Sequence, residues 1–376
     1  KKCNAALDKT AKTCYISIMQ TTKSDMFGNL IGQEKAKRRL EFYHKGYAAT
    51  GICPHLMFIA PKGAGKTTLA KAMAANLMSS EDSSKPKTFL EINCSTLKNV
   101  KQLFNQIFVP HVAHKEVTVL FDECSELPRD ITMALLTVLN PNPENKTSFS
   151  YDDYTIDFDF SRHTFMFATT EAQSVFHALM DRCERIDLEE YDYSQLGQIV
   201  QRTLPSVKFA SGLLEEIATV LRGNARAAQK MANNIAVALR AAGKKTFSKD
   251  DWADIKFNLG IAPLGLSPIE IRVLEILNER KECSLTHLAA KTQLTKACLQ
   301  RDFEMYLQKM NLMQITTAGR AITKEGKDYL DNLPNEEQPK KVVHKAVAVE
   351  KKKPVRINLD NIDTKGEVGN QIIFRN

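Results

Sequence analysis

Leu56-Met-Phe-Ile-Ala60-Pro-Lys-Gly63-Ala64-Gly65-Lys66-Thr67-Thr68-Leu-Ala-Lys-Ala-Met73 is the stretch whose reading decides the fold. The apolar run Leu56 to Ala60 reads as a buried strand, and the alanine-rich segment from about Lys66 to Met78 as a helix, with a small-residue turn between them. Such a turn is built for phosphate. Its backbone N–H groups point inward, and the helix N-terminus behind it favours negative charge. In that geometry Gly63, Ala64, Gly65, Lys66, Thr67 and Thr68 surround the phosphates of a nucleotide. Lys66 neutralises them and Thr67 ligates Mg2+. Ala60 stands where the pattern G-x-x-x-x-G-K-[ST] has its first glycine. The bland alternative, a chance Gly-Lys-Thr at a strand–helix turn, fits the flanking strand and helix less well.

A second motif lies about 50 residues downstream. Val117-Thr-Val-Leu-Phe121-Asp122-Glu123 is an apolar strand ending in two acids. The Asp122 carboxylate can hold the Mg2+ shell, and Glu123 can orient and deprotonate an attacking water. The alternative is an acidic flank for the helix expected from Asp130 to Leu139. Phe89–Ile92 and His163–Ala168 read as further core strands, the latter ending in Thr169-Thr170. A polar residue at that strand end can sense the terminal phosphate; its alternative is an ordinary turn or cap. A helix is expected over Val100 to Phe108, and the alternating segment 149–160 predicts a hairpin with one covered face.

Composition sets the limits. The chain has 376 residues with 43% hydrophobic and 26% charged content, which suits two or three globular domains. No run nears the ~20 apolar residues of a membrane span, and Lys1-Lys2 open the chain without an apolar signal segment, so a cytoplasmic protein without a membrane partner is expected. Met19 is a candidate natural start. The eight cysteines are scattered with no C-x-x-C pair, as in a reduced compartment. His111 and His114 read as a solvated pair, with no cysteine nearby to complete a metal site. Residues 1–24 carry five Lys and one Asp, and 339–376 carry nine Lys/Arg and four acids. Of the +8 net charge, 25–338 therefore holds −1. The basic excess sits on the ends, read as solvated tails that could touch nucleic acid.

The order predicts an α/β large domain with a parallel sheet over 25–188 and a small helical lid over 189–262. A winged helix follows over 263–333: Ser267-Pro268 opens a first helix, a third spans 295–310, and two short strands flank Thr317-Ala-Gly319-Arg320. Residues 1–24 and 334–376 read as loosely ordered ends.

With these motifs in place, the chain resembles the AAA+ ATPases over roughly 25–332 and, within them, the RuvB family of bacterial Holliday-junction branch-migration motors. The resemblance rests on Leu30-Ile-Gly-Gln33, the phosphate loop, Phe121-Asp-Glu123 and Phe165-Met-Phe-Ala-Thr-Thr170. It continues through Asp181-Arg182-Cys183, Leu188-Glu-Glu-Tyr191, Gly223-Asn-Ala-Arg226 and the segment from Leu307 to Thr323. It implies ATP and Mg2+ as cofactors, Ile31 and Tyr191 at the adenine, and Thr169 as the first sensor. It implies Arg182 as an arginine finger acting on a neighbouring subunit's ATP, and Arg226 as the second sensor. The alternatives are a surface ion pair of Arg182 with Asp181 or Glu184, and a solvated Arg226. Where the family has Arg after the paired threonines this chain has Glu171, and Ala318 replaces a second wing Arg. The hairpin before the first sensor, which in the family grips a RuvA partner, is polar and acidic here: Tyr151-Asp-Asp-Tyr154.

The implied activity is that of an ATP-driven DNA motor acting as a self-assembled ring, with a RuvA-like or other DNA-loading protein at hairpin 149–160. The alternative is an ATP-gated loader or DNA-binding switch with slow hydrolysis. Lys296 and Arg301 on the exposed side of the third winged-domain helix, and Arg320 on the wing, are the expected DNA contacts, made to phosphate rather than bases. An ion pair of Arg320 with Asp302 or Glu304 is the alternative. Residues 263–333 hold ten Lys/Arg and nine acids, so affinity is expected to come from several subunits together.

Overall fold

The computed structural model describes residues 26–333 apart from 29, 114, 140–145, 152–153, 161 and 281, and describes 146–151 and 154–159 by their backbone. The expectations for 1–24 and 334–376 fall outside the described residues. The first part of the chain runs α1 (Glu34–Thr50), β1 (Leu56–Ile59), α2 (Lys66–Ala74), β2 (Thr88–Asn93), α3 (Val100–Leu103), β3 (Val117–Asp122), α4 (Arg129–Val138), β4 (Lys146–Tyr151), β5 (Tyr154–Asp159), β6 (Thr164–Thr169), α5 (His177–Met180) and β7 (Glu184–Asp187). Five of these strands form one sheet in the order β2-β3-β6-β1-β7, every neighbouring pair parallel.

A parallel sheet covered on both faces needs strands that are largely apolar on both sides, and its three inner strands, β1, β3 and β6, are. Side chains alternate across a strand. Met57, Val119, Phe121, Phe165 and Phe167 thus enter one core with α3, α4 and α5, while Leu56, Phe58, Leu120, Met166 and Ala168 enter the other with α1 and α2. The Phe121 and Phe167 rings stack at 5.2 Å. Three segments differ from the sequence reading. Helix α2 ends at Ala74, and Met78 instead bridges Pro86. The helix expected to stop at Phe108 continues in π geometry from Phe104 to Val112, with Pro110 inside it. Strand β7, charged at every position except Ile186, was not expected. The hairpin is present as β4–β5, antiparallel from Lys146↔Asp159 to Tyr151↔Tyr154; its side chains lie outside the described residues.

The second part is α6 (Tyr193–Thr203), β8 (Lys208–Phe209), α7 (Leu213–Thr219), α8 (Ala225–Ala242), β9 (Thr246–Phe247) and α9 (Lys249–Leu259), which together form the helical lid. Its separate core is centred on Ile217, Ile235 and the buried Trp252. Capping boxes start α6 (Asp192 with Gln195) and α9 (Ser248 with Asp251), and the Asn224 side chain caps α8. The third part is α10 (Pro268–Glu279), α11 (Leu285–Thr292), α12 (Lys296–Cys298), α13 (Met305–Lys309), β10 (Met313–Ile315), β11 (Arg320–Ile322) and α14 (Lys324–Asp331), the winged helix, packed on Val273, Leu277, Leu288, Leu299 and Leu307. Between α12 and α13 the chain is π-helical from Leu299 to Glu304, so the expected third helix runs through with an altered register. The wing pairs β10 with β11, and Cys283 adds a bridge to Arg320. Gly319, at φ 150°, passes so close that a Cβ there would stand 2.6 Å from the Cys283 carbonyl oxygen.

Candidate nucleotide-binding site

The site sits where β1, β3 and β6 end side by side. After β1 the chain turns through Gly63 (φ 81°) and Gly65 (φ 97°), conformations that glycine adopts without a Cβ penalty. A Cβ at Gly63 would fall on the Asn224 side chain, and one at Gly65 would stand 2.9 Å from the Tyr191 hydroxyl. The turn delivers Lys66 to the first position of α2. Its Nζ donates to the carbonyls of Ala60 (2.9 Å) and Pro61 (3.2 Å). Burial lowers the Lys66 pKa below the ordinary lysine value; the nearby Arg226 and Lys62 act in the same direction, and Asp122 and Glu123 oppose it.

Thr67 Oγ1 donates to Asp122 Oδ2 at 3.0 Å, so two hard oxygen donors from different elements meet at one point. Mg2+ prefers this arrangement, taking one or two protein oxygens and completing its octahedron with phosphate and water. Among the described residues no cluster of His, Cys, Asp and Glu could hold a metal by itself. The Glu123 backbone N–H donates to Asp122 Oδ1 at 3.1 Å, and Glu123 has φ 56°, ψ 49°. A glutamate in the left-handed region is unusual, and strain of this kind concentrates at functional sites.

These groups line a cleft of about 370 Å³ between the sheet's carboxyl edge and the lid. Of the expected residues, Ile31, Gly63, Gly65, Lys66, Thr67, Thr68, Asp122, Glu123, Thr169, Tyr191 and Arg226 all line it. Ala64 is buried within the loop, where its carbonyl accepts from Gln33 Nε2 at 3.3 Å. Thr169 is fully buried and its hydroxyl accepts the Glu171 N–H at 2.9 Å, so the turn role weighed above is filled as well. Arg182 is not in the lining; its guanidinium is anchored to the Ala178 carbonyl at 2.9 Å. Neither ion pair weighed for it, with Asp181 or Glu184, forms: Asp181 pairs with His177 and Glu184 with Arg39.

Sequence reasoning missed Gln33 and Asn224 as builders of the cleft. Gln33 bonds the Glu189 backbone in both directions, at 2.7 and 3.1 Å. Asn224 Nδ2 donates to Lys62 O at 3.1 Å. Both lie in stretches quoted above, Leu-Ile-Gly-Gln33 and Gly223-Asn-Ala-Arg226, which offered a signal; their partners, 156 and 162 residues away, could not be read from spacing. Arg202 and Gln229 of the lid also line the cleft.

The three basic residues expected at DNA fare differently. Lys296 is exposed. Arg301 is exposed and paired with Asp302 at 2.9 Å. Arg320 takes up the alternative weighed for it: it makes a two-pronged pair with Glu304, at 2.9 and 3.1 Å, and its side chain is 13% exposed. The π-helical stretch turns Glu304 inward, and a buried carboxylate needs that partner. Arg320→Ala is therefore expected to cost about 3–5 kcal/mol, the price of an uncompensated buried charge, read as a lowered melting temperature. The salt dependence of duplex binding should not change. An unaltered melting temperature with a log–log salt slope shallower by about 1 would return Arg320 to the DNA.

Comparison with known proteins agrees with this geometry. A profile of the ATPase family associated with various cellular activities (AAA) matches residues 56–191, and one of the RuvB C-terminal winged helix domain matches 263–331. The Holliday junction branch migration complex subunit RuvB of Campylobacter curvus is 25% identical over 303 residues, covering 78% of this chain and 86% of its own length. That of Campylobacter lari is 26% identical over 319 residues, covering 81% and 89%. The solved structure of the Thermotoga maritima RuvB Holliday junction branch migration motor shares the fold, with TM-score 0.64 at 21% identity, over 80% of this chain and 95% of that one.

Proposed function

We propose that this chain, a divergent RuvB-like AAA+ ATPase, is a motor that couples ATP hydrolysis to movement on branched DNA as a ring of its own copies. The observation that carries this is the convergence of Lys66, Thr67, Asp122, Glu123 and Arg226 in one cleft, on a chain that ends its described part in a winged helix. Lys66 swings from its two carbonyls to the β- and γ-phosphates. Thr67 and Asp122 would hold Mg2+, which when bound would supply neutralisation of charge on the transferred phosphoryl. Glu123 takes the proton of the attacking water. Ile31 and Tyr191 receive the adenine, Thr169 and Arg226 report on the terminal phosphate, and Arg182 serves a neighbour's cleft. The backbone of β4–β5 offers a partner its docking edge, and DNA contact falls to Lys296 and other exposed bases of several subunits together.

One observation favours a second reading, an ATP-gated loader with slow hydrolysis: Arg320 and Arg301 are both engaged by carboxylates of their own chain. A single experiment separates the two. ATP hydrolysis is measured with and without a synthetic four-way junction, and strand separation is followed in the same tube. Strong stimulation with junction resolved into duplexes is the result expected of the motor. Slow, DNA-indifferent hydrolysis with intact junctions would remove that reading and leave the loader.

A further inference from the structure

Five consecutive residues, Arg222 to Arg226, join the winged helix to the phosphate loop. At one end Arg222 Nε donates to Gly265 O at 3.0 Å and its Nη2 to the Glu270 carboxylate, while its guanidinium carbon lies 3.9 Å from the Tyr306 ring centroid. Glu270 is fully buried, and the same carboxylate oxygen accepts from Ser267 N and Oγ. At the other end the segment rests on the loop: Asn224 Nδ2 donates to Lys62 O and Ala225 N to Gly63 O, each at 3.1 Å, and Arg226 lines the cleft. Between them Tyr191 N donates to Gly223 O at 3.2 Å. Glu190 packs so closely on Gly223 that a Cβ there would stand 2.8 Å from its carboxylate, and Glu190 is itself the partner of Lys309. Two tethers from the winged helix, one through Arg222 and one through Lys309, converge on the same few atoms.

A planar guanidinium held by a buried carboxylate, a carbonyl and an aromatic face has little freedom left. Arg222 also sits at φ 55°, a conformation that costs a non-glycine residue strain and persists only where its surroundings enforce it. We propose that Arg222 is a positioning residue for the nucleotide site. By fixing the backbone of 222–226 against the winged helix, it sets where Asn224 and Ala225 hold the phosphate loop and where Arg226 enters the cleft. Displacement of the winged helix is thereby felt at the nucleotide without any residue of that domain touching it. This inference rests on the nucleotide reading above and adds the control of that site from the chain's far end.

The test uses the full chain as wild type, Arg222→Lys, Arg222→Gln, Tyr306→Leu and the double variant Arg222→Lys/Tyr306→Leu. Affinity for a fluorescent ATP analogue with Mg2+, KM and kcat for ATP, and the melting temperature without nucleotide are measured on each. Arg222→Lys keeps a cation opposite Glu270, which guards against misfolding. Arg222→Gln is expected to weaken nucleotide binding about tenfold, as for loss of a charge-assisted contact, and Arg222→Lys to weaken it less. Tyr306→Leu, outside the cleft, should raise KM in the same direction, and the double variant should show less than the sum of its parts. Variants with lowered melting temperatures but wild-type affinity and KM would reduce Arg222 to a structural tie and overturn the proposal. Wild-type protein that takes up no analogue would overturn the nucleotide reading and this inference together; wild-type uptake with unchanged variants overturns the inference alone.

Discussion

Glu123→Gln is expected to bind MgATP as the wild type does and to turn it over at least about 10²-fold more slowly, the usual cost of removing a general base. Gln keeps the size of the side chain and its backbone N–H bond to Asp122, but it cannot accept a proton. Lys66, Thr67 and Asp122 keep their places, so binding has no reason to fail. The left-handed backbone at position 123 aims this side chain into the cleft rather than along the helix that follows. Fluorescent nucleotide titration and steady-state phosphate release would be run on the same preparation. Wild-type turnover in the Gln variant would take Glu123 out of the chemistry, and lost binding would make it a structural or metal-associated residue instead.

The second large effect concerns assembly. Arg182 is outside its own cleft, at the end of α5, held by Ala178. If it completes a neighbour's cleft, Arg182→Ala should lower turnover by about 10³–10⁵, the range for an arginine finger, and Lys66→Ala should remove phosphate binding. A mixture of the two inactive proteins should then recover turnover well above the sum of the separate rates. Each ring would contain clefts whose Lys66 is intact beside a chain whose Arg182 is intact. Mixed oligomers, verified by differently tagged subunits, that stay inactive would argue that Arg182 acts within its own chain or not at all.

The parts legible from sequence were those whose physics is local. The three inner strands, β1, β3 and β6, are buried on both faces and so are written as near-continuous apolar runs, while the edge strand β2 alternates buried Leu90 and Ile92 with more exposed neighbours. The fifth, β7, has a single buried residue, Ile186, and looks like a charged loop. The phosphate loop and the Asp122-Glu123 strand end each carry their chemistry in a few consecutive residues, and the cleft contains both. Gln33 and Asn224 act across more than a hundred residues, where spacing carries no information. Arg320 shows a subtler limit. Both nearby carboxylates were plausible partners, and an ideal helix would not single out Glu304. The π-helical stretch from Leu299 to Glu304 rotates the face that follows it, burying Glu304 and leaving Phe303 partly buried at the edge of the core.

The separation of the hydrophobic cores has a thermodynamic consequence. Two cores share the sheet, but those around Trp252 and around Leu277 are packed on their own. A single all-or-none unfolding equilibrium is the habit of chains with one core. Here no one free energy of unfolding belongs to the whole chain, because each packed group has its own and they are coupled through junctions as slight as residues 222–226. A nucleotide that bridges Lys66 of the sheet and Arg226 of the lid, as proposed above, would bind only when both groups are folded, so its binding energy would be added to the junction itself. The ligand would then set how cooperatively the protein melts as well as how high.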